Sequence, residues 1–123
     1  MGDIHNERIR KVVIATGEVT TLAGSGLEGD DDGTGTDARF YWPARVAVSP
    51  DGGTVYVTDN HRIRKIDTSG GATTTLAGRV QGSADGTGTA ASFYYPSGVA
   101  VSPDGGTVYV ADNYNHRIRQ VTT

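Results

Sequence analysis

Cysteine is absent from the chain, which excludes disulfides and thiol chemistry but leaves the compartment, and so the localisation, open. Glutamate occurs only at Glu7, Glu18 and Glu28, so carboxylates suited to acid–base work are scarce. No apolar run approaches twenty residues, and no charged start leads into an apolar core. Neither a membrane-spanning helix nor a signal peptide is therefore expected. Positive charge is not in excess: the net charge is −3 and the arginines recur singly, so no nucleic-acid partner is predicted. A sustained i, i+3, i+4 apolar pattern is also missing, which predicts no helix of any length.

What the chain does have is glycine, 18 residues of it, placed between short apolar runs as turns require. It also repeats itself. Val46-Ala-Val-Ser-Pro-Asp-Gly-Gly-Thr-Val-Tyr-Val-Thr-Asp-Asn60 returns as Val99 to Asn113, with Ala111 in place of Thr58 as the one difference. Each block runs into His-Arg-Ile-Arg, at His61 to Arg64 and His116 to Arg119. The motif Arg8-Ile-Arg10 stands 54 positions before Arg62, and Arg62 stands 55 before Arg117. A period of this size fits one four-stranded propeller blade with a long loop.

Four strand candidates fall within a period, each bounded by turn residues. Strand a is Val46–Val48 and Val99–Val101, and strand b is Thr54–Val57 and Thr107–Val110. Strand c is Arg8–Val12, Arg62–Ile66 and Arg117–Val121, and strand d is Val19–Leu22 and Thr73–Leu76. Ser49-Pro-Asp-Gly-Gly53 between a and b is a hairpin signal. The apolar a and b strands suit an interior sandwiched between sheets, and the threonine-rich d strand suits an outer edge in water. The order along the chain is c-d, a-b-c-d, a-b-c, so strand c is present once more than two blades need. The predicted division is residues 1–24 as strands c-d of a shared blade, 25–78 as a full blade, and 79–123 as strands a-b-c of a shared blade. Because the chain begins inside a repeat, it reads as a natural or engineered fragment of a longer array.

The run Pro96-Ser-Gly-Val-Ala-Val-Ser-Pro-Asp-Gly-Gly-Thr-Val-Tyr-Val-Ala-Asp-Asn-Tyr-Asn-His-Arg-Ile-Arg119 resembles the NHL-repeat family of β-propellers, and the resemblance extends over nearly the whole chain. The first repeat departs from it in carrying Arg45 where the family favours glycine and in lacking two residues between Asp59 and His61. The resemblance implies an all-β fold of four-stranded antiparallel blades, usually in a six-bladed ring that serves as a binding platform; a minority of related rings are metal-dependent lyases or hydrolases. Two blades leave an apolar face open at each end. The expectation is therefore a homo-oligomer, with three chains of two blades closing a six-bladed ring through heterologous contacts.

In an antiparallel meander the b-c and d-a connections share one end of the sheets. That end collects Arg39, Tyr41, Trp42, His61, Tyr94, Tyr95 and His116, the candidate residues for binding a protein or small molecule. Phe40 and Phe93 read as wedges between blades, and Tyr41, Trp42, Tyr94 and Tyr95 read first as packing residues and second as a surface for stacking on a ligand, a carbohydrate among the options. His5, His61 and His116 invite a zinc reading, but as neighbours of a repeated turn they read better as structural. Asp59 with Arg62 and Asp112 with Arg117 read as ion pairs across the b-c turn. The loop Asp30-Asp-Asp-Gly-Thr-Gly-Thr-Asp37 partly imitates a calcium loop, yet Tyr41 stands where the bidentate glutamate belongs, and a solvated acidic loop is the simpler reading. Gly24-Ser-Gly-Leu-Glu-Gly29 matches a dinucleotide fingerprint in spacing but opens no helix. No catalytic residue, metal or cofactor is assigned. The expectation is a non-enzymatic scaffold, with a metal-dependent lyase or hydrolase on the ring axis as the alternative.

Overall fold

The computed structural model describes all residues from Met1 to Thr123. It is built of β1 (Gly2–Asp3), β2 (Arg8–Val12), β3 (Val19–Ala23), β4 (Gly33–Thr34), β5 (Pro43–Val48), β6 (Thr54–Asp59), β7 (Arg62–Asp67), β8 (Ala72–Ala77), β9 (Gly98–Val101), β10 (Thr107–Asp112) and β11 (Arg117–Thr122). Helical structure is confined to three-residue 3₁₀ turns. The strands form three antiparallel sheets, ordered β1-β2-β3, β4-β8-β7-β6-β5 and β11-β10-β9. Each of the nine strands expected from the repeat is present.

Local chemistry explains why the a-b hairpins recur. In the first, Asp51 Oδ1 accepts from Ser49 Oγ at 2.6 Å and from the Gly53 N–H at 2.9 Å, and Ser49 Oγ accepts from the Thr54 N–H at 3.0 Å. Asp104, Ser102, Gly106 and Thr107 repeat these contacts. A short side chain that bonds its own backbone two residues on is what fixes such a turn. The hydrogen bonds also hold the carboxyls of Asp51 and Asp104 below the usual range.

The core lies between the sheets. One buried cluster joins Ile9 and Ala23 of the first sheet to Ala38, Phe40, Val55, Val57 and Ile66. Its repeat joins Tyr56, Ile63 and Ala77 of the second sheet to Ala91, Phe93, Val108 and Val110. Phe40 and Phe93, both fully buried, act as wedges, each contributing roughly 1.5–3 kcal/mol by leaving water.

The outer edge differs from the sequence reading. In the second sheet strand d is not outermost: Gly33–Thr34 of the long loop adds as β4 against Ala72 and Thr73, and Thr73 is buried. Glycine permits this, since a Cβ on Gly33 would meet the Asp37 carbonyl carbon at 2.8 Å. At the start of the chain, β1 does for β2 what strand b does elsewhere, and Asp3 occupies the place of Asp59, bonding Arg10 at 3.3 Å.

Candidate binding face

Two buried arginines organise the end of the sheets where the b-c and d-a connections meet. Arg64 is fully buried in β7. It donates to Asp59 Oδ2 at 2.6 Å, to the carbonyl oxygens of Arg39 and Asp31 at 2.9 Å, and to Asp32 Oδ1 at 2.9 Å. Its guanidinium carbon lies 5.2 Å from the centre of the Phe40 ring. Arg119 reproduces the arrangement with Asp112 at 2.8 Å, Asp85 at 2.6 Å, the carbonyls of Ser92 and Ala84, and Phe93 at 5.1 Å. A planar fork with several donors suits this clamp, which a single ammonium could not fill.

The ion pairs thus differ from those expected. Asp59 pairs with Arg64 and not with Arg62, and Asp112 with Arg119 and not with Arg117. Asp59 faces Arg62 across the ladder, but Arg62, at the hairpin tip, reaches outward to Asp30 at 2.5 Å. Arg64, two residues further in on the same face, reaches back diagonally. Arg117 likewise points away, donating weakly to the Ser83 carbonyl at 3.4 Å. The acidic loop is also more than solvated charge: Asp30, Asp31 and Asp32 pair with Arg62, Arg39 and Arg64 in turn. That donor set is committed to arginine and does not form a calcium site.

The carboxylates also fix the aromatic loops. The Tyr41 N–H donates to Asp59 Oδ1 at 2.6 Å, and the Tyr94 N–H to Asp112 Oδ1 at 2.9 Å. The next residues, Trp42 and Tyr95, have φ of 58° and 47°, a left-handed backbone that is costly for large side chains. Each is held by the preceding sheet: the Trp42 N–H donates to Glu7 Oε2 at 2.8 Å, and the Tyr95 N–H to His61 Nδ1 at 3.3 Å. Burial raises the Glu7 carboxyl above its ordinary value. Burial, helped by Arg62, lowers His61. Burial pushes the Asp59 carboxyl up to about 6, against the opposing pull of Arg64 and the Tyr41 N–H.

The result is a continuous row of rings. Tyr41 stacks on Trp42 at 5.6 Å between centroids, Trp42 lies 6.4 Å from Tyr95, and Tyr95 lies 4.5 Å from His61. His61 meets Tyr94 at 5.8 Å, and Tyr94 meets Tyr114 at 5.0 Å. Trp42 and Tyr114 are about half exposed. Of the candidates, Tyr41, Trp42, His61, Tyr94 and Tyr95 are brought together. Arg39 instead pairs with Asp31 at 3.5 Å, and His116 is exposed outside the row. His5, His61 and His116 do not converge, and no three His, Asp or Glu side chains group as metal ligands. Glu7, Arg64 and Arg119 were missed as organising residues. Their signal was positional: Glu7 stands immediately before the first copy of strand c, as His61 and His116 stand before the others.

Two segments, residues 40–66 and 93–121, match the NHL repeat, and they contain both aromatic loops and the two buried arginines, Arg64 and Arg119. The chain belongs to the NHL-repeat proteins. NHL repeat-containing protein 2 of Bos taurus is 32% identical over 97% of this NHL chain, which spans 18% of that relative's length. Among solved structures, a Bacteroides thetaiotaomicron protein of unknown function superposes with a TM-score of 0.87 at 28% identity, over 99% of this chain and 31% of its own. An auxiliary nutrient binding protein of the same organism superposes with a TM-score of 0.80 at 26% identity, over 96% and 33%. The NHL repeats here therefore correspond to about a third of each of those structures, and their propeller-type sheets carry the aromatic row at one end.

Proposed function

We propose that this chain is a non-enzymatic propeller scaffold that associates with copies of itself into a ring, six-bladed when three copies join, and offers its aromatic loop face to a protein or small-molecule ligand. The observation that carries the reading is the row from Tyr41 to Tyr114, with its backbone locked and Trp42 and Tyr114 about half exposed. Rigid aromatic side chains of this kind provide contact area at little entropic cost on binding. The likeness in fold to an auxiliary nutrient binding protein supports a ligand-binding role. Against the lyase or hydrolase alternative, the buried acids Glu7, Asp59 and Asp112 each accept from a backbone N–H of the aromatic loops, a structural use that buried carboxyls commonly have.

Trp42 is the single tryptophan and sits within the row, so its fluorescence reports on the face directly. Titration with a panel of oligosaccharides and peptides is expected to find a saturable change that Trp42→Phe/Tyr95→Ala abolishes, read for the variant by calorimetry. Saturable binding unaffected by that variant would remove the face from consideration. Light scattering coupled to size exclusion is expected to show three chains per particle, and a monodisperse monomer would overturn the ring.

A further inference from the structure

The chain contains one complete contact between neighbouring sheets and, at its two flanks, the unmatched halves of another. In the complete contact Tyr56 of β6 is 3% exposed and belongs to the core with Val108 and Val110, with Val99 and Val101 packed against it. Its counterpart in the repeat, Tyr109 of β10, is 45% exposed, because no sheet lies beyond β9-β10-β11. The counterparts of Val99, Val101 and Val108 are Val46, Val48 and Val55. These three line an open groove of about 420 Å³ together with Met1, Ile9 and Val12. The groove exists because the first sheet has its outer strands, β2 and β3, but only the two residues of β1 inside them. The same asymmetry marks strand c. Ile9 and Ile63 are 1% and 0% exposed, whereas Ile118 is 76% exposed.

We propose that a second copy of this chain fills the groove. The β9–β10 hairpin of one copy docks head to tail on β5 and β6 of the next, and Tyr109 enters against Val46, Val48 and Val55 as Tyr56 enters the core against their counterparts. This deepens the self-association proposed above and rests on that reading. The occupant follows from repetition within the chain: the docking surfaces carry the same side chains at the same strand positions as a contact already formed between its second and third sheets. The contact is heterologous, so repeating it generates a ring when the rotation closes. Docking supplies the inner strands that β2 and β3 lack and displaces β1. It also leaves one position for two nearly identical strands, Arg8-Ile-Arg-Lys-Val12 and Arg117-Ile-Arg-Gln-Val121. The two strands then compete for that position.

The test uses the 123-residue chain. Light scattering is run on the wild type, Tyr109→Arg and Val48→Arg, with circular dichroism to follow strand content. Both positions are about half exposed, so either variant should keep its sheets while association weakens by at least about 100-fold, the scale set by a charge left unpaired in a closed apolar contact. In the cysteine-free background, Tyr109→Cys combined with Val48→Cys should form intermolecular disulfides on oxidation, and each single variant should not, which keeps the test decisive even where an arginine variant fails to fold. A monomeric wild type overturns this contact together with the association reading. An oligomeric wild type whose arginine variants associate unchanged, or whose double cysteine variant does not cross-link, overturns this contact alone.

Discussion

Arg64 shows how much of this molecule rests on single side chains. With four hydrogen bonds and no exposure, it satisfies Asp59, which in turn holds the Tyr41 N–H. Removing one partner of a buried pair leaves the other charge uncompensated. Arg64→Ala is expected to lower stability by about 3–5 kcal/mol in urea unfolding monitored by circular dichroism, with Asp59→Asn milder because the amide oxygen can still accept from Tyr41. His61 provides a pH-dependent counterpart. Its folded pKa is lowered, so the proton binds the folded chain less well than the unfolded one. Its contribution is present above the unfolded value of about 6.5 and is lost as pH falls from there toward the folded value. His61→Gln keeps an acceptor for the Tyr95 N–H without titrating. Thermal melts between pH 7.5 and 5 should therefore show the wild type losing stability relative to this variant.

The elements are fixed by turns and close approaches more than by strand propensity. After β8 the chain passes so near β7 that a Cβ on Gly78 would lie 2.5 Å from the His61 carbonyl oxygen, at a φ of +89°. Gly52, with a φ of +76°, has nothing within 4 Å. Gly78→Ala combines left-handed strain with overlap against backbone and should cost about 2–4 kcal/mol. Gly52→Ala should cost only the strain, about 1–2 kcal/mol. Chemical denaturation of the two variants side by side checks the difference, and equal costs would mean that the strand end relaxes around the new methyl group.

For the whole molecule the open flanks dominate. Tyr109, Ile118 and Val48 lie on faces that the same repeat buries elsewhere, and a stack of sheets gains stability by covering such faces. Association coupled to folding makes the melting temperature depend on concentration. Raising the chain concentration 100-fold, a chosen experimental range, is expected to raise the melting temperature of the wild type in scanning calorimetry while leaving Tyr109→Arg unchanged. A wild-type value independent of concentration would show that covering these faces adds nothing to stability.

The strands, their order and the family are legible in the order of the amino acids. A period near 54 residues, the Ser-Pro-Asp-Gly-Gly turns and the short apolar runs between turns are local or repeated signals, and repetition makes them legible in a single chain. The sequence also placed the aromatic residues at one end, because antiparallel connectivity alone sorts connections into two sets. Tertiary structure decided which charges meet. Asp59 lies opposite Arg62 in the ladder, and only the inward path of Arg64 and the outward path of Arg62 toward Asp30 assign the pair. It likewise turned the acidic loop into counterions, added β4 outside strand d, and recruited Glu7 of one sheet to hold Trp42 of the next, 35 residues away. These contacts depend on how side chains are directed after the sheets have stacked. No spacing along the chain encodes that direction, since strands c and d meet loops from a different part of the sequence.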